Sequence, residues 1–258
     1  MNQPLASIHP NAKIAPNVII DPFVTIEDNV EIGEGTHIMS GAVIMWGARI
    51  GRNCRIFPNA VVSAIPQDLK FHGEETLAIV GDNTTLRECV TVNRGTDARG
   101  KTVVGDNCLI MAYSHVAHDA IVGNNVIISN ATQLAGEVVV DDCAVIGGGT
   151  LVHQFCHIGA HVMVQGGSRI GKDVPPYVKA AREPVAYTGI NSVGLRRRGF
   201  SNETIAAIQD VYRYIYQHNL NVSDAVRRIE ESVPQSPERD AIIDFVRNSR
   251  RGIIRGYC

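Results

Sequence analysis

The chain has 258 residues, of which 45% are hydrophobic and only 5% aromatic, and its formal net charge is −2. A near-neutral chain has no overall field that would attract nucleic acid, and a core poor in aromatics has to be filled by aliphatic and small side chains. The chain does not open on a basic segment followed by an apolar run, and no run of about 18 apolar residues occurs. We therefore expect neither a signal peptide nor a membrane span.

The hydrophobic pattern repeats at every sixth position over most of the chain up to Ile170. The first run of aliphatic residues comprises Ile8, Ile14, Ile20, Ile26, Ile32, Ile38, Ile44, Ile50, Ile56 and Val62. A break over about 63–79 follows, and the register returns at Val80, Leu86 and Val92. After a second break over about 97–103, it continues from Val104 to Ile170. Such a repeat indicates a stack of similar units.

A second rule accompanies the first, because the fifth position of each hexad is small or β-branched, as at Ala42, Cys54 and Ala120. A period of six fits neither a helix nor a lone strand, but it fits a short strand followed by a corner. Three such sides close one coil of a triangular prism. Gly and Asn, as in 122–125, tolerate the left-handed backbone of corners. The repeat resembles the hexapeptide β-helix family, whose coils are left-handed. We therefore predict an all-β left-handed parallel β-helix over residues 1–175.

After Pro175 and Pro176 the hexads stop, and residues 176–200 are interpreted as an irregular connector. Three helices follow the connector. The connector and these helices together make up the C-terminal part of the chain, 176–258. The first is capped by Ser201 and reaches about His218. The second is capped by Ser223 and reaches Glu231, and the third runs from Ser236-Pro237 to about Arg251. From Asn191 onward, 11 Arg stand against 8 acidic residues with no Lys, so the segment 191–258 carries +3 and the rest of the chain −5. The basic part of the chain therefore lies in this small helical domain.

Candidate functional residues lie along one edge of the predicted β-helix. Positions separated by three hexads fall on the same edge, so His118, Gly136 and Gln154 form one column and Asp119 and Glu137 form the next. The six cysteines show no paired spacing. Cys54, Cys108 and Cys156 occupy the small core position, and we expect reduced thiols in a cytoplasmic protein.

Several segments make a resemblance specific. They are Gln67-Asp68-Leu69-Lys70, Arg87 to Thr96, His115-Val116-Ala117-His118-Asp119, Val152-His153-Gln154-Phe155-Cys156 and Arg197-Arg198-Gly199-Phe200. In this order they resemble the UDP-N-acetylglucosamine 3-O-acyltransferase family, over the whole chain. The resemblance implies transfer of a 3-hydroxyacyl group from acyl carrier protein to the 3-hydroxyl of UDP-N-acetylglucosamine, the first step of lipid A biosynthesis. It also implies a homotrimer, no cofactor beyond the two substrates and no metal.

The same resemblance implies a role for individual residues. His118 matches the general base, which suits an imidazole, Asp119 would orient it, and the backbone N–H of Gly136 would face the developing oxyanion. The residues that match substrate-binding positions are Gln67, Asp68, Lys70, His115, His153 and Gln154 at the sugar and pantetheine region, and Asn191, Arg197 and Arg198 at the nucleotide. Gly166, with Met163 beside it, matches the position that limits acyl-chain length. The chain departs from the family pattern at Glu137, Gln165 and Val193.

Three other functions stay open from the sequence. The N-acyltransferase of the same pathway shares the β-helix, but it carries an extra domain before its hexads, whereas here they begin at Ile8. A zinc carbonic anhydrase on the same fold would use three histidines from two subunits, for which His115, His118 and His153 are candidates. The third alternative is a scaffold without catalysis.

Overall fold

The computed structural model describes residues 3–256, which form a β-helix followed by four helices. In the coils up to Ile170, successive strands of one face pair in parallel, so that Ser7 lies beside Thr25 and Ile8 beside Ile26. The period of six predicts this register, because three consecutive hexads return the chain to its starting edge. Val178–Ala181 and Ala186–Ile190 instead pair antiparallel. The fold is the left-handed parallel β-helix that the sequence predicts.

The prism has three faces, each a stack of short strands. The first face comprises Ser7–Ile8, Thr25–Ile26, Val43–Ile44, Val61–Ala64, Thr91–Asn93, His115–Val116, Gln133–Leu134, Leu151–Val152 and Arg169–Ile170. The second face comprises Lys13–Ile14, Glu31–Ile32, Ala48–Ile50, Leu77–Val80, Lys101–Val104, Ile121–Val122, Val139–Val140 and His157–Ile158. The third face comprises Ile19–Ile20, His37–Ile38, Arg55–Ile56, Thr85–Leu86, Leu109–Ile110, Ile127–Ile128, Val145–Ile146, Met163–Val164, Val178–Ala181, Ala186–Ile190 and Arg255–Gly256.

The core of the prism is built from the two positions that the hexads single out. The aliphatic residue at the end of each strand is fully buried at Ile38, Ile110 and Leu134. The small position is equally buried, and where it is polar it bonds to backbone, as when Thr36 Oγ1 donates to Gly51 O at 2.8 Å. Burial of apolar area on every coil therefore stabilises the stack.

Two insertions leave the prism at the corner between the first and second faces. Val61 pairs with Val43 one regular coil before it, but on the other side it pairs with Thr91, and Thr91 pairs in turn with His115. Both of these later spacings exceed three hexads, so two successive coils are lengthened. The sequence places the loops at about 63–79 and 97–103. In the structure they occupy 65–76 and 94–100. Strands extend into both ends of the first predicted loop and into the end of the second, whereas the second begins earlier because its strand ends at Asn93.

The sequence predicts an irregular connector after Pro176, but the structure has regular elements there. The connector contains Val178–Ala181 and Ala186–Ile190 on the third face, and then helix α1, Ser192–Arg197. Met163 pairs with Lys179, which follows it by less than one regular coil. The period of six is lost here while strand pairing continues, which is why the hexads end before the sheet does.

The remaining helices are α2, Asn202–Tyr216, α3, Val222–Ser232, and α4, Pro237–Asn248. Ser201 and Ser236 cap α2 and α4 as predicted, but the cap of α3 is Asn221 rather than Ser223, since its side chain accepts the Asp224 N–H at 2.9 Å. α4 ends before Arg251. Among the described helices, none is long and apolar enough to cross a membrane.

Candidate active site

The predicted column of His118, Gly136 and Gln154 exists, because His115, Gln133 and Leu151 pair in register on three successive coils. Both insertions project from the same corner on the two coils before His118. The site is therefore a corner of the prism with two loops beside it.

His118 and Asp119 form a hydrogen-bonded pair. His118 Nδ1 lies 2.9 Å from Asp119 Oδ2, and the two residues are 8% and 0% exposed. The other groups at the carboxylate are all donors: Thr96 N at 3.0 Å, Thr96 Oγ1 at 2.7 Å and Arg99 N at 3.1 Å. An ionised carboxylate only accepts hydrogen bonds, so Nδ1 carries the hydrogen. The lone pair of His118 therefore lies on Nε2.

Gly136 packs directly against the imidazole. A Cβ atom on Gly136 would lie 2.5 Å from both Nε2 and Cε1 of His118. A side chain at position 136 would therefore collide with the His118 ring, in addition to any substrate that approaches. Among residues 3–256, no acceptor is found for the Gly136 N–H, which leaves it available to a ligand.

The 65–76 insertion brings Asp68 to the base. Asp68 Oδ2 lies 3.7 Å from His118 Nε2, and Asp68 Oδ1 accepts the Lys70 N–H at 2.9 Å. Asn93 holds the start of this loop, since its Nδ2 donates to Ile65 O at 2.9 Å. His118 is therefore flanked by one carboxylate on each ring nitrogen.

These residues line a cleft of about 800 Å³. The predicted site residues that it brings together are Gln67, Asp68, Lys70, His115, His118, Gly136, His153 and Gln154. Asp119 lies behind His118, fully buried. Arg169 and Gly171 close the end of the cleft nearest the helical domain.

The two further histidines differ in environment. His115 Nδ1 lies 2.7 Å from Thr91 Oγ1, and burial, followed by the proximity of His118, lowers the pKa of His115. It is therefore a neutral hydrogen-bonding group at neutral pH. His153 is exposed, and its Nδ1 donates to the Gln154 carbonyl at 3.0 Å.

The other five predicted site residues lie elsewhere on the chain. Asn191 caps α1, with Oδ1 accepting the Gly194 N–H at 3.2 Å and Nδ2 donating to His161 O. Arg197 and Arg198 are exposed at the end of the same helix, and Met163 and Gly166 are exposed on the third face and the corner after it. A single chain does not bring this second group to His118.

Several residues of the site are not among the sequence candidates, including Thr96, Arg99 and Asn93. Thr96 and Arg99 bond to Asp119, and Asn93 is a cleft residue whose buried Oδ1 has no partner within the described part of the chain. The sequence offers one indication of these three residues, since they lie in or beside the second break in the repeat of six. Within residues 3–256, no three His, Cys, Asp or Glu side chains are grouped so as to hold a metal ion.

Comparison with known proteins identifies similar families. The profile described as UDP-N-acetylglucosamine O-acyltransferase, domain 2, matches residues 173–254, and that for six bacterial transferase hexapeptide repeats matches 101–136. A profile described as the GMPPB C-terminal domain matches 2–106. A curated relative from Pseudomonas syringae pv. tomato, named acyl-[acyl-carrier-protein]–UDP-N-acetylglucosamine O-acyltransferase, is 44% identical over 202 residues, 78% of each chain.

Solved structures agree with these matches over nearly the full length. The UDP-N-acetylglucosamine acyltransferase of Bacteroides fragilis has a TM-score of 0.97 and 58% identity, covering 99% of this chain and 100% of that one. The enzyme of the same name from Francisella novicida has a TM-score of 0.96 and 39% identity, covering 99% and 94%.

Proposed function

The chain belongs to the UDP-N-acetylglucosamine O-acyltransferase family, and we propose that it transfers a 3-hydroxyacyl group from acyl carrier protein to the 3-hydroxyl of UDP-N-acetylglucosamine with His118 as the general base. This is the first step of lipid A biosynthesis. Family membership favours it over the N-acyltransferase, the zinc carbonic anhydrase and the non-catalytic scaffold.

The observation that carries the mechanism is the orientation of His118, with Nδ1 on Asp119 and Nε2 in the cleft. Nε2 takes the proton of the sugar hydroxyl as its oxygen attacks the thioester carbonyl. The carbonyl oxygen becomes an oxyanion, to which the free Gly136 N–H donates. Collapse of the tetrahedral intermediate breaks the carbon–sulfur bond, and the carrier thiolate takes the proton back from His118.

The two carboxylates beside His118 support the charge that develops on it. The imidazolium lies 2.9 Å from Asp119 Oδ2 and 3.7 Å from Asp68 Oδ2. Because His118 and Asp119 are buried, their interaction is stronger than it would be in water. The scheme requires no cofactor beyond the two substrates.

The remaining cleft residues are assigned to the two substrates. Gln67, Asp68, Lys70 and His115 bind the sugar, while His153 and Gln154 line the path of the pantetheine. His115 suits a sugar hydroxyl because its lowered pKa keeps it neutral. We place the enzyme in the cytoplasm, which is supported by the free thiols of the described cysteines.

The enzyme acts as a homotrimer in which each site draws on two chains. Support comes from Asn191, Arg197 and Arg198, which lie away from the cleft on their own chain and would reach the nucleotide of a neighbour. Leu69, at the tip of the loop beside the cleft, is 101% exposed on the single chain. In the proposed trimer, a neighbouring subunit covers the Leu69 side chain.

Product analysis tests the function. The purified chain is incubated with UDP-N-acetylglucosamine and a panel of 3-hydroxyacyl carrier proteins, and the products are identified by mass spectrometry. We expect one O-acylated nucleotide sugar, absent with His118→Ala. Acyl transfer to nitrogen, or no transfer from any donor, would contradict the proposal.

Subunit complementation tests the shared site. His118→Ala and Arg198→Ala variants, each inactive alone, are unfolded together and refolded as mixtures. Mixed trimers contain sites with an intact base from one chain and an intact arginine from the next, so activity should reappear. A monomeric mass in sedimentation with full activity would exclude the trimer.

A further inference from the structure

The 94–100 insertion lengthens one coil, and its contacts converge on one carboxylate. Thr96 N lies 3.0 Å from Asp119 Oδ1 and 3.2 Å from Oδ2, Thr96 Oγ1 lies 2.7 Å from Oδ2, and Arg99 N lies 3.1 Å from Oδ1. The insertion closes on itself through the Gly100 N–H, which donates to Thr96 O at 2.7 Å. It is therefore a compact turn whose donors face Asp119.

Asp119 needs these donors because it has no contact with solvent. It is 0% exposed, and a buried carboxylate without hydrogen bonds is costly. The backbone N–H of Asp119 donates to Thr102 Oγ1 at 2.8 Å. Thr102 belongs to the strand Lys101–Val104, which directly follows the insertion, so the Asp119 backbone is fixed to that strand. The side chain is held by the insertion on one side and by His118 on the other.

The hydroxyl of Thr96 bonds to the same oxygen that bonds to His118. Both Thr96 Oγ1 and His118 Nδ1 use Asp119 Oδ2, at 2.7 and 2.9 Å. A rotation of the carboxylate would break both bonds together. Thr96 therefore determines where Oδ2 lies, and Oδ2 determines which ring nitrogen of His118 carries the hydrogen.

We propose that Thr96 is a positioning residue for the acyl transfer: it fixes the Asp119 carboxylate so that His118 keeps its hydrogen on Nδ1 and its lone pair on Nε2. The proposal rests on the function of His118 as general base. It also assigns a purpose to the 94–100 insertion, which presents two backbone N–H groups and one hydroxyl to the residue behind the base.

The test compares Thr96→Val with Thr96→Ser. Valine removes the hydroxyl at nearly constant shape, and we expect kcat to fall on the order of tenfold, the size expected for a hydrogen bond to a charged group. KM for UDP-N-acetylglucosamine should not change, because Thr96 is not among the residues that line the cleft. Serine keeps the hydroxyl and should restore kcat to within about twofold of the wild type. Thr96→Ala removes the same hydroxyl and serves if the valine variant does not fold.

Thr25→Val is the matched control, since Thr25 lies on the first face in the N-terminal coils, remote from the cleft. It should keep wild-type kcat and KM. A Thr96→Val variant with wild-type kcat would overturn the proposal. So would a variant with a raised KM and a lowered melting temperature that serine fails to correct, because that pattern indicates a structural role.

A double-mutant cycle tests whether Thr96 acts through Asp119. Asp119→Asn lowers kcat by itself, and Thr96→Val added to it should lower kcat no further. Independent, multiplying effects would overturn the proposal. His118→Ala is measured beside these variants: if it stays active, the base assignment fails, whereas an inactive His118→Ala with an unaffected Thr96→Val overturns only the role of Thr96.

Discussion

A Cβ atom on Gly136 would lie 2.5 Å from Nε2 of His118 on the neighbouring coil. Gly136→Ala must therefore displace the imidazole, either from Asp119 or from its position in the cleft. We expect a loss of kcat on the order of 10²-fold, since displacing a general base removes most of its contribution. Steady-state kinetics with a melting curve check this, and full activity in a folded variant would contradict the close packing.

His118→Ala should abolish turnover and leave the fold intact. The ring lies on a corner outside the prism core, and removing a general base typically costs about 10²–10⁴ in rate. The cavity left beside Asp119 should admit free imidazole, so added imidazole should restore part of the rate. Turnover near the wild-type value, with an unchanged circular dichroism spectrum, would exclude the mechanism.

The cysteines should not act as nucleophiles. Burial raises the pKa of the Cys54 thiol, and it raises the pKa of Cys108 and of Cys156 to about 11. A thiol with so high a pKa is almost entirely protonated at pH 7, and the thiolate is the reactive form. Raising the pH through the neutral range should therefore add no cysteine-dependent activity.

A variant with all six cysteines replaced by Ala or Ser should keep its kcat, including Cys258, which lies outside the described residues. Cys89 and Cys143 are partly exposed and can be alkylated separately as a control. An acyl-enzyme on any cysteine, seen by mass spectrometry of the intact protein during turnover, would refute this prediction.

The arginines at the C-terminus should receive the acidic acyl carrier protein. Arg251 Nε donates to Gly171 O at 3.1 Å, and Arg255 lines a second cavity with Arg169, Lys172 and Arg182 that adjoins the cleft. Because surface ion pairs are individually weak, Arg250→Glu and Arg255→Glu are combined. KM for the carrier protein should rise several-fold in a salt-sensitive way.

KM for UDP-N-acetylglucosamine should not change in that variant. Reversal of Arg227 and Arg228 on α3 is the control, since these residues pair with acidic groups of their own helix. Arg247 is left intact because it pairs with Glu230 at 2.8 Å. A rise in the KM for the nucleotide sugar alone would assign the tail to the nucleotide.

The acyl chain should be long, and Gly166 should limit it. We expect donors well beyond ten carbons to be preferred, since each buried methylene contributes about 0.8 kcal/mol, and Gly166→Met should move the preference toward short donors. A Cβ at this position would lie 3.0 Å from Gly148 O, so Gly166→Ala is needed to measure the effect of that contact alone. A wild-type preference for ten carbons, or an unchanged preference in the methionine variant, would place the limit elsewhere.

The period of the sequence determined the prism and one column of the site. Because three hexads close each coil, the spacing of His118, Gly136 and Gln154 is enough to stack them, and the paired positions of each hexad are enough to fill the core. Hydrogen bonds at helix starts are local too, which is why Ser201 and Ser236 could be identified as caps.

Where the period fails, only the tertiary structure decided the outcome. The pairing of Met163 with Lys179 continues the sheet at a spacing shorter than one coil, which no repeat of six predicts. The contacts of Thr96 and Arg99 with Asp119 join positions that are distant in the sequence across an irregular loop. The 94–100 insertion has no repeat to follow, and its donors meet at the buried carboxylate of Asp119 instead.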